Sequence, residues 1–168
     1  EKLRHEFNAI VSKKDMHETY LPAFKSLVTK AEVEGVMGAY NRTNGESCCA
    51  HEYLIGNLLR NQWDFDGYFV SDCGGISDIY RGHELVGTAE EAAALALKRG
   101  CNLNCGNVYN DSVIKTAIEK GHLTENVVDR NLKQLLKTRF RLGLLNITDE
   151  IPYSNISGDT ISCEEHVS

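Results

Sequence analysis

The sequence predicts an α/β fold, specifically the last three strand–helix units of a TIM-type (β/α)8 barrel followed by the start of a linker. Short apolar runs recur about every 33 residues, and amphipathic helical patterns separate them. Each interval is long enough for the crossover that parallel strands need. Three strands are fewer than half of an eight-stranded barrel, which takes roughly 200 residues or more. We therefore expect the other strands to precede this sequence.

The first part of the chain carries helix signals. Ser12 is predicted to be an N-cap, because its hydroxyl can accept a hydrogen bond from a backbone N–H of the first turn. Pro22 interrupts the helical pattern and fits best as the first residue of a second helix, where its missing N–H is no loss. That helix is predicted to end near Glu34, with Gly35 as the stop signal.

Three apolar runs predict strands, at residues 36–40, 68–70 and, more weakly, 101–103. Runs without polar alternation suit a parallel sheet that helices bury on both faces. The helices between and after these strands are predicted from apolar spacing, from the capping box of Thr88 and Glu91, and from terminal glycines. They are placed at residues 51–60, 92–99, 108–120 and 125–142.

Composition divides the chain after residue 145. Residues 1–145 form the predicted barrel part, whereas residues 146–168 are polar and rich in turn formers, and are predicted to be a linker to something further. The chain carries 18 Lys and Arg against 24 Asp and Glu, for a net charge of −6, without a basic cluster. This charge argues against a nucleic-acid partner or an anionic membrane surface, and no apolar run approaches the roughly 20 residues that cross a bilayer, so we expect neither nucleic acid nor membrane as a partner.

The cysteines do not predict a metal site or a cofactor. There is no Cys-x-x-Cys pair and no His pair at metal-ligand spacing, so we expect no metal and no cofactor. All six are predicted to be small, mostly buried thiols: Cys48, Cys49, Cys73, Cys101, Cys105 and Cys163. Four Asn-x-Ser/Thr sequons hint at secretion, and the sequence leaves a secreted and a cytoplasmic protein both open.

Reactive side chains are expected where strands end, because parallel α/β proteins gather them at the C-terminal edge of the sheet. Asp72 follows the second predicted strand, and Gly74 and Gly75 behind it would let a bulky substrate approach. A carboxylate in this position can act as a nucleophile, a base or a metal ligand. The alternative is that Asp72 only caps the next helix or holds a turn.

Several motifs carry a family resemblance over nearly the whole chain. VMGAYNRTNG, the run WDFDGYFVSDCGGISDI and the helix EEAAALAL resemble glycoside hydrolase family 3, in particular its β-glucosidase and β-xylosidase branches. The resemblance implies an N-terminal barrel followed by an α/β sandwich domain. It also implies a retaining exo-β-glycosidase that acts on β-linked oligosaccharides or glycosides. It leaves glucose, xylose, arabinose and N-acetylglucosamine open as the terminal sugar.

The resemblance also assigns roles to residues. It places the nucleophile on Asp72, a tyrosine close to the reactive carbon on Tyr40, and an arginine that grips sugar hydroxyls on Arg4. It implies that the family's Lys-His pair lies upstream and its acid/base Glu downstream, so we expect little activity from this segment alone. Asp78 is predicted to be solvated or to act as a cap. His5 is predicted to lie at the surface or behind the site.

Two alternatives remain open at this point. The first is a non-catalytic carbohydrate-binding barrel, which keeps a sugar pocket without the chemistry. The second is an unrelated α/β regulatory domain, which would need a self-contained sheet. Asp72 favours the enzyme, because a binding relic has no need of a carboxylate there, and covalent trapping with a 2-fluoro sugar would discriminate.

Overall fold

A computed structural model describes residues 3–145 and 155–167 and has an α/β fold. In chain order the elements are β1 (Asn8–Ala9), α1 (Lys13–Asp15), the π-helix π1 (Met16–Tyr20), α2 (Pro22–Thr29), β2 (Gly35–Gly38), β3 (Arg42–Thr43), β4 (Glu46–Ser47), the π-helix π2 (Glu52–Gln62), β5 (Tyr68–Ser71), α3 (Gly75–Arg81), α4 (Ala89–Arg99), α5 (Asp111–Glu119), α6 (Glu125–Arg141), a 3-10 turn (Gly158–Thr160) and α7 (Glu164–Val167). Of the predicted linker, residues 146–154 and residue 168 lie outside the described part.

Apart from β4, which pairs antiparallel to β3 in a short hairpin, the strands pair in parallel, and they fall into two sheets, β1–β3–β4 and β2–β5. β1 pairs with β3, β2 pairs with β5 over all four residues, and Val70 of β5 forms a single parallel bridge with Leu103. Because β3 follows β2 closely, the strands occupy four parallel positions: β1, the β2–β3 segment, β5 and Leu103. Helices in the intervals between these positions give the strand–helix alternation that the sequence predicts.

The strand predictions hold for two of the three runs. The runs at residues 36–40 and 68–70 are confirmed as β2 and β5, with β2 starting one residue earlier and ending at Gly38. The third run is reduced to the bridge at Leu103. β1 was not predicted, because two residues with a polar Asn8 give no apolar run and their strand geometry comes from pairing with β3.

The front helices follow their predicted starts but not their predicted end. The Ser12 side chain accepts a hydrogen bond from the backbone N–H of Asp15, and Pro22 occupies the first turn of α2. The prediction that this helix ends near Glu34 is wrong, since α2 ends at Thr29. Glu32 adopts a left-handed φ of 51°, which stops any helical continuation, so Gly35 opens β2 instead of closing a helix.

The later helices match their signals. The capping box of Thr88 and Glu91 is formed, and α4 ends at Gly100, whose φ of 96° suits glycine. The helices expected at residues 108–120 and 125–142 are α5 and α6, with slightly shorter bounds. The helix expected at 51–60 is π2, capped by the His51 side chain. α3 was not predicted from the sequence.

The core lies between the sheet and the helices. Phe69 of β5 packs with buried aliphatic residues of π2, α3 and α4, and the half-buried Trp63 covers their edge. A second cluster joins α4, α5 and α6 through Leu97, Ala117 and Val128, with Leu123 of the intervening loop buried among them. Each large apolar side chain that is fully buried contributes about 1.5–3 kcal/mol. The small alanine side chains of α4 let this helix pack closely against α5 and α3.

A buried polar network replaces apolar packing next to Leu103. Asn102 Oδ1 accepts hydrogen bonds from the backbone N–H of Phe69 at 2.8 Å and from Arg60 Nη2 at 3.0 Å. Its Nδ2 donates to Asn131 Oδ1, and Asn131 in turn donates to the carbonyl of Leu97. A fully bonded network of this kind fixes one arrangement, here joining α6 and π2 to the sheet.

The N-terminal ends of β2 and β5 are held by α6. Arg141 pairs with Glu34, just before β2, at 3.0 Å and with Asp66, just before β5, at 3.2 Å. Lys137 also pairs with Asp66, and Thr138 Oγ1 donates to Glu34. We call Glu34, Asp66, Lys137, Thr138 and Arg141 the lower clamp.

In the two described ranges, no helix is long and apolar enough to cross a membrane.

Candidate active site

Asp72 and Tyr40 leave the sheet at the same edge. Asp72 follows β5 and Tyr40 lies two residues after β2, and the two strands are in register with Gly38 opposite Ser71. The backbone N–H of Asp72 donates to the carbonyl of Gly38 at 2.9 Å, which extends the ladder by one residue. Asp72 Oδ1 accepts a hydrogen bond from the N–H of Cys73 at 2.7 Å. The backbone on both sides therefore holds Asp72 at the rim.

The side chains of Asp72 and Tyr40 meet in a half-buried position. Partial burial raises the pKa of the Tyr40 hydroxyl, and a hydrogen bond with the Asp72 side chain raises it further. The charge of Asp72 adds to this effect, whereas the nearby Arg4 opposes it. Because an ionised carboxylate has no proton to give, the Tyr40 hydroxyl is the donor in this contact.

Arg4 lies against the other side of this pair. Its guanidinium carbon is 4.9 Å from the centroid of the Tyr40 ring, within the range of a cation–π contact. Its Nε donates to His5 Nε2 at 3.2 Å. The structure thus brings together Asp72, Tyr40 and Arg4, the three site residues named from the sequence, although they are spread over almost 70 positions of the chain.

Asp78 belongs to the same cluster, and the prediction that it is solvated or a cap is wrong. Its side chain is only 13% exposed and lies 2.7 Å from His5 Nδ1. The His5 ring in turn packs against the Tyr40 ring at 4.5 Å. Asp78 sits in the first turn of α3, and helical side chains tilt toward the N-terminus, so it points back to the end of β5. A sequence prediction of α3 would have placed Asp78 beside the site.

The segment that carries Arg4 and His5 is anchored by backbone contacts. A Cβ added at Gly82 would lie 2.5 Å from the carbonyl oxygen of His5, so only glycine allows this approach. Arg42 Nη2 donates to the carbonyl of Glu6 at 2.8 Å, and the Arg42 N–H donates to the carbonyl of Phe7. The loop before β1 is therefore held between α3 and β3.

A disulfide joins two loops beside Asp72. Cys73 and Cys105 are bonded, and their Cα atoms lie 4.3 Å apart. The prediction of six thiols is therefore wrong for this pair, because 32 residues of separation carry no sequence signal. It holds for Cys49 and Cys101, which are buried, and burial raises the pKa of the Cys101 thiol to about 12. Ser71 Oγ also accepts from the N–H of Cys105 at 3.0 Å.

Two further observations concern metal ligands and cavities. Among the described residues, no group of three or more His, Cys, Asp or Glu side chains could hold a metal ion. A separate cavity of about 630 Å³ lies between the front helices and the sheet, and its lining includes Phe7, Phe24 and Phe69 but neither Asp72 nor Tyr40. Its lining is mostly apolar, with Tyr20, Asn41 and Thr43 as the main polar side chains, which suits a sugar less well than the charged cluster at Asp72.

Comparisons with known proteins agree with the motifs. The family model described as the glycosyl hydrolase family 3 N terminal domain matches residues 5–138. A probable exo-1,4-β-xylosidase (bxlB) of Aspergillus clavatus is 45% identical over 156 residues, which cover 91% of this chain and 20% of that protein. A probable β-D-xylosidase 7 of Arabidopsis thaliana is 40% identical over 164 residues, covering 97% and 21%.

Solved structures show the same relationship. A GH3 exo-β-xylosidase (XlnD), in complex with a xylobiose aziridine probe, matches with a TM-score of 0.89 and 26% identity over 94% of this chain and 20% of that chain. The β-glucosidase 3B of Thermotoga neapolitana, in complex with α-D-glucose, matches with a TM-score of 0.65 and 30% identity, covering 81% and 18%.

The extent of these matches decides what they show. The chain spans about a fifth of the length of the relatives it matches. The family model, however, covers most of the chain, including Tyr40, Asp72 and Asp78. The chain therefore belongs to glycoside hydrolase family 3, and the part that matches is the N-terminal domain of that family.

Proposed function

We propose that this chain is part of a retaining exo-β-glycosidase of the β-xylosidase or β-glucosidase type, with Asp72 as the nucleophile. The observation that carries the proposal is the placement of the Asp72 carboxylate at the C-terminal edge of parallel strands, beside the Tyr40 hydroxyl and the Arg4 guanidinium. Parallel α/β enzymes build their active sites at this edge from the ends of several strands. No metal or cofactor is part of the proposal.

The segment fits a larger barrel. We propose that residues 1–145 supply the last strand–helix units of a (β/α)8 barrel, and that residues 146–168 lead to an α/β sandwich domain. The parallel pairing from β1 to Leu103 supports this placement, with β1 adding one position to the three that the sequence predicts. The relatives, about five times as long as the chain, leave room for the upstream strands and the second domain.

The proposed chemistry has two steps. The Asp72 carboxylate attacks the anomeric carbon, and the glycosidic bond breaks as an acid group protonates the leaving oxygen, so a covalent glycosyl-enzyme forms. The group that acted as the acid now acts as a base and takes a proton from water. This water attacks the anomeric carbon and releases Asp72. We propose that the acid/base group is a Glu of the second domain, about 5–5.5 Å from Asp72, as retention requires.

Tyr40 and Arg4 prepare the nucleophile and the sugar. The Tyr40 hydroxyl donates to Asp72 and limits the positions of the carboxylate, without the charge neutralisation that an ion pair would bring. The Arg4 guanidinium presents several N–H donors in a fixed plane, which suits adjacent sugar hydroxyls. The contact with the Tyr40 ring holds that plane beside the nucleophile.

The substrate class follows from the relatives. Fungal and plant relatives that are 40–45% identical to this chain carry the names of β-xylosidases. We therefore propose β-linked xylosides as the first substrates to test, with β-glucosides second. Because part of the sugar site is proposed to come from outside this segment, the isolated segment should show little turnover.

Covalent trapping tests the proposal. The full-length protein that carries this chain is incubated with an activated 2-deoxy-2-fluoro-β-xyloside, which slows release of the glycosyl-enzyme, and its peptides are analysed by mass spectrometry. We expect one adduct on Asp72, lost in Asp72→Asn and kept in Asp129→Asn, a change at an exposed aspartate of α6. Reversible sugar binding without an adduct would overturn the proposal in favour of a carbohydrate-binding barrel.

A further inference from the structure

We infer that Asp78 is a positioning residue that orients Arg4 through His5. The inference rests on the proposed function, because it assigns a purpose to the role of Arg4 in holding sugar. Three contacts carry it: Arg4 Nε to His5 Nε2 at 3.2 Å, His5 Nδ1 to Asp78 Oδ2 at 2.7 Å, and the His5 ring on the Tyr40 ring at 4.5 Å. The first two are hydrogen bonds that link Asp78 in α3 to Arg4, and the third holds the His5 ring against Tyr40.

The direction of each hydrogen bond follows from the donors. Arginine has N–H donors and no acceptor, so His5 Nε2 must accept from Arg4 and carries no proton. His5 Nδ1 therefore carries the proton and donates it to Asp78 Oδ2. The carboxylate thus selects a single tautomer of His5, and only that tautomer can accept from Arg4.

Asp78 is a fixed point from which to orient a flexible side chain. Its side chain is 13% exposed, and its backbone N–H donates to the carbonyl of Gly74 within α3. The same short stretch of chain carries Asp72, so the proposed nucleophile and the anchor of Arg4 move together. Arg4 itself lies on an exposed loop, where a long side chain has many rotamers to lose.

A thermodynamic cycle in the full-length protein tests the inference. We expect Asp78→Ala to lower kcat/KM for an aryl β-xyloside about tenfold, chiefly through KM, but less than about twofold when Arg4→Ala is already present. Asp78→Asn keeps an acceptor for His5 and should stay within about threefold of the unchanged protein. Additive effects of Asp78→Ala and Arg4→Ala would show that Asp78 acts independently of Arg4 and would overturn the inference.

A second variant separates packing from hydrogen bonding. His5→Phe keeps a ring against Tyr40 but removes both hydrogen bonds, so it should match Asp78→Ala in KM and show the same non-additivity with Arg4→Ala. If Asp78→Ala does not fold, this cycle alone decides. A His5→Phe protein with unchanged KM would overturn the inference. His17→Gln, at an exposed histidine near Tyr53, is the matched control.

The trapping experiment distinguishes the two proposals. Asp78→Ala is expected to form the adduct on Asp72 more slowly, but at the same residue. An adduct that forms with an additive cycle leaves the proposed function standing and removes only the role of Asp78. If no adduct forms in the unchanged protein, the proposed function itself is wrong, and the positioning role falls with it.

Discussion

The two ends of the parallel strands hold their carboxylates in different ways. At the N-terminal end, Asp66 pairs with both Lys137 and Arg141 in the lower clamp. At the C-terminal end, Asp72 is held by the backbone N–H of Cys73 and by the Tyr40 hydroxyl, which are neutral donors. Asp66 therefore forms direct ion pairs with two cations, whereas the described hydrogen bonds of Asp72 come from neutral groups.

This difference indicates which end of the strands is suited to a reaction. A carboxylate that pairs with two cations joins the elements that carry them. Its negative charge is balanced by those cations, and its oxygen atoms are already in contact with them. A carboxylate that neutral donors orient keeps its charge available to a carbon that becomes positive. The lower clamp is thus suited to stability and the rim to reaction, as in barrels whose sites lie at the C-terminal face.

The largest effect is expected on turnover, from a change of Asp72 at the rim. In the full-length protein, Asp72→Asn should lower kcat for an aryl β-xyloside by about 10⁴-fold or more, because an amide cannot form the covalent intermediate. Its Tm should change little, since the amide oxygen of asparagine can still accept the hydrogen bond from the N–H of Cys73. Steady-state kinetics and thermal unfolding measure the two quantities.

Asp66→Asn is the matched change at the lower clamp. We expect it to lower the Tm and to leave kcat within about threefold, the opposite pattern to Asp72→Asn. If Asp66→Asn reduced kcat as strongly as Asp72→Asn, the division between a stabilising end and a reactive end would be wrong.

The rim was partly predictable from the sequence because its main signal is local. An aspartate close behind an apolar run marks the end of a buried strand, and Tyr40 is the last residue of the preceding run. The placement of both at one edge then follows from parallel pairing alone. The lower clamp had no such signal, since Asp66 and Arg141 are 75 positions apart and only the fold brings them together.

What the sequence did not predict depends on distant partners. β1 is a strand because β3 lies beside it, and the cysteines at 73 and 105 are bonded because two loops meet. His5 and Asp78 could be paired only after α3 was known, because that helix turns Asp78 back toward β5. The missed end of α2 is different in kind: a single left-handed residue, Glu32, ended a pattern that apolar spacing alone would have continued.

An intermediate effect is expected on KM from a change that displaces part of the rim without altering its charges. Gly82→Ala should raise KM several-fold, because a Cβ at 2.5 Å from the carbonyl of His5 pushes away the segment that carries Arg4. Gly56→Ala, in π2 where an added Cβ meets nothing within 4 Å, is the matched control and should leave KM unchanged. Equal KM values for both variants would mean that the position of this segment does not matter to substrate.

The smallest effect concerns the pH dependence of the lower clamp. Hydrogen bonds from Lys137 and Gln134 hold the pKa of Asp66 below its ordinary value of 3.8. A carboxyl whose pKa is lower in the folded state contributes stability above its unfolded pKa and loses that contribution as the pH falls through its folded pKa. The Tm difference between the unchanged protein and Asp66→Asn should therefore be constant near neutrality and shrink below about pH 4.

Salt provides a second axis for the same measurement. Because Asp66 and its cationic partners are roughly half exposed, added salt should also reduce the Tm difference at neutral pH. Asp129→Asn, at an exposed position of α6, should show no comparable dependence on pH or salt. A Tm difference for Asp66→Asn that stays the same from neutrality to about pH 3 would show that the ion pairs do not stabilise this end. The contrast with Asp72 would then rest on the rim alone.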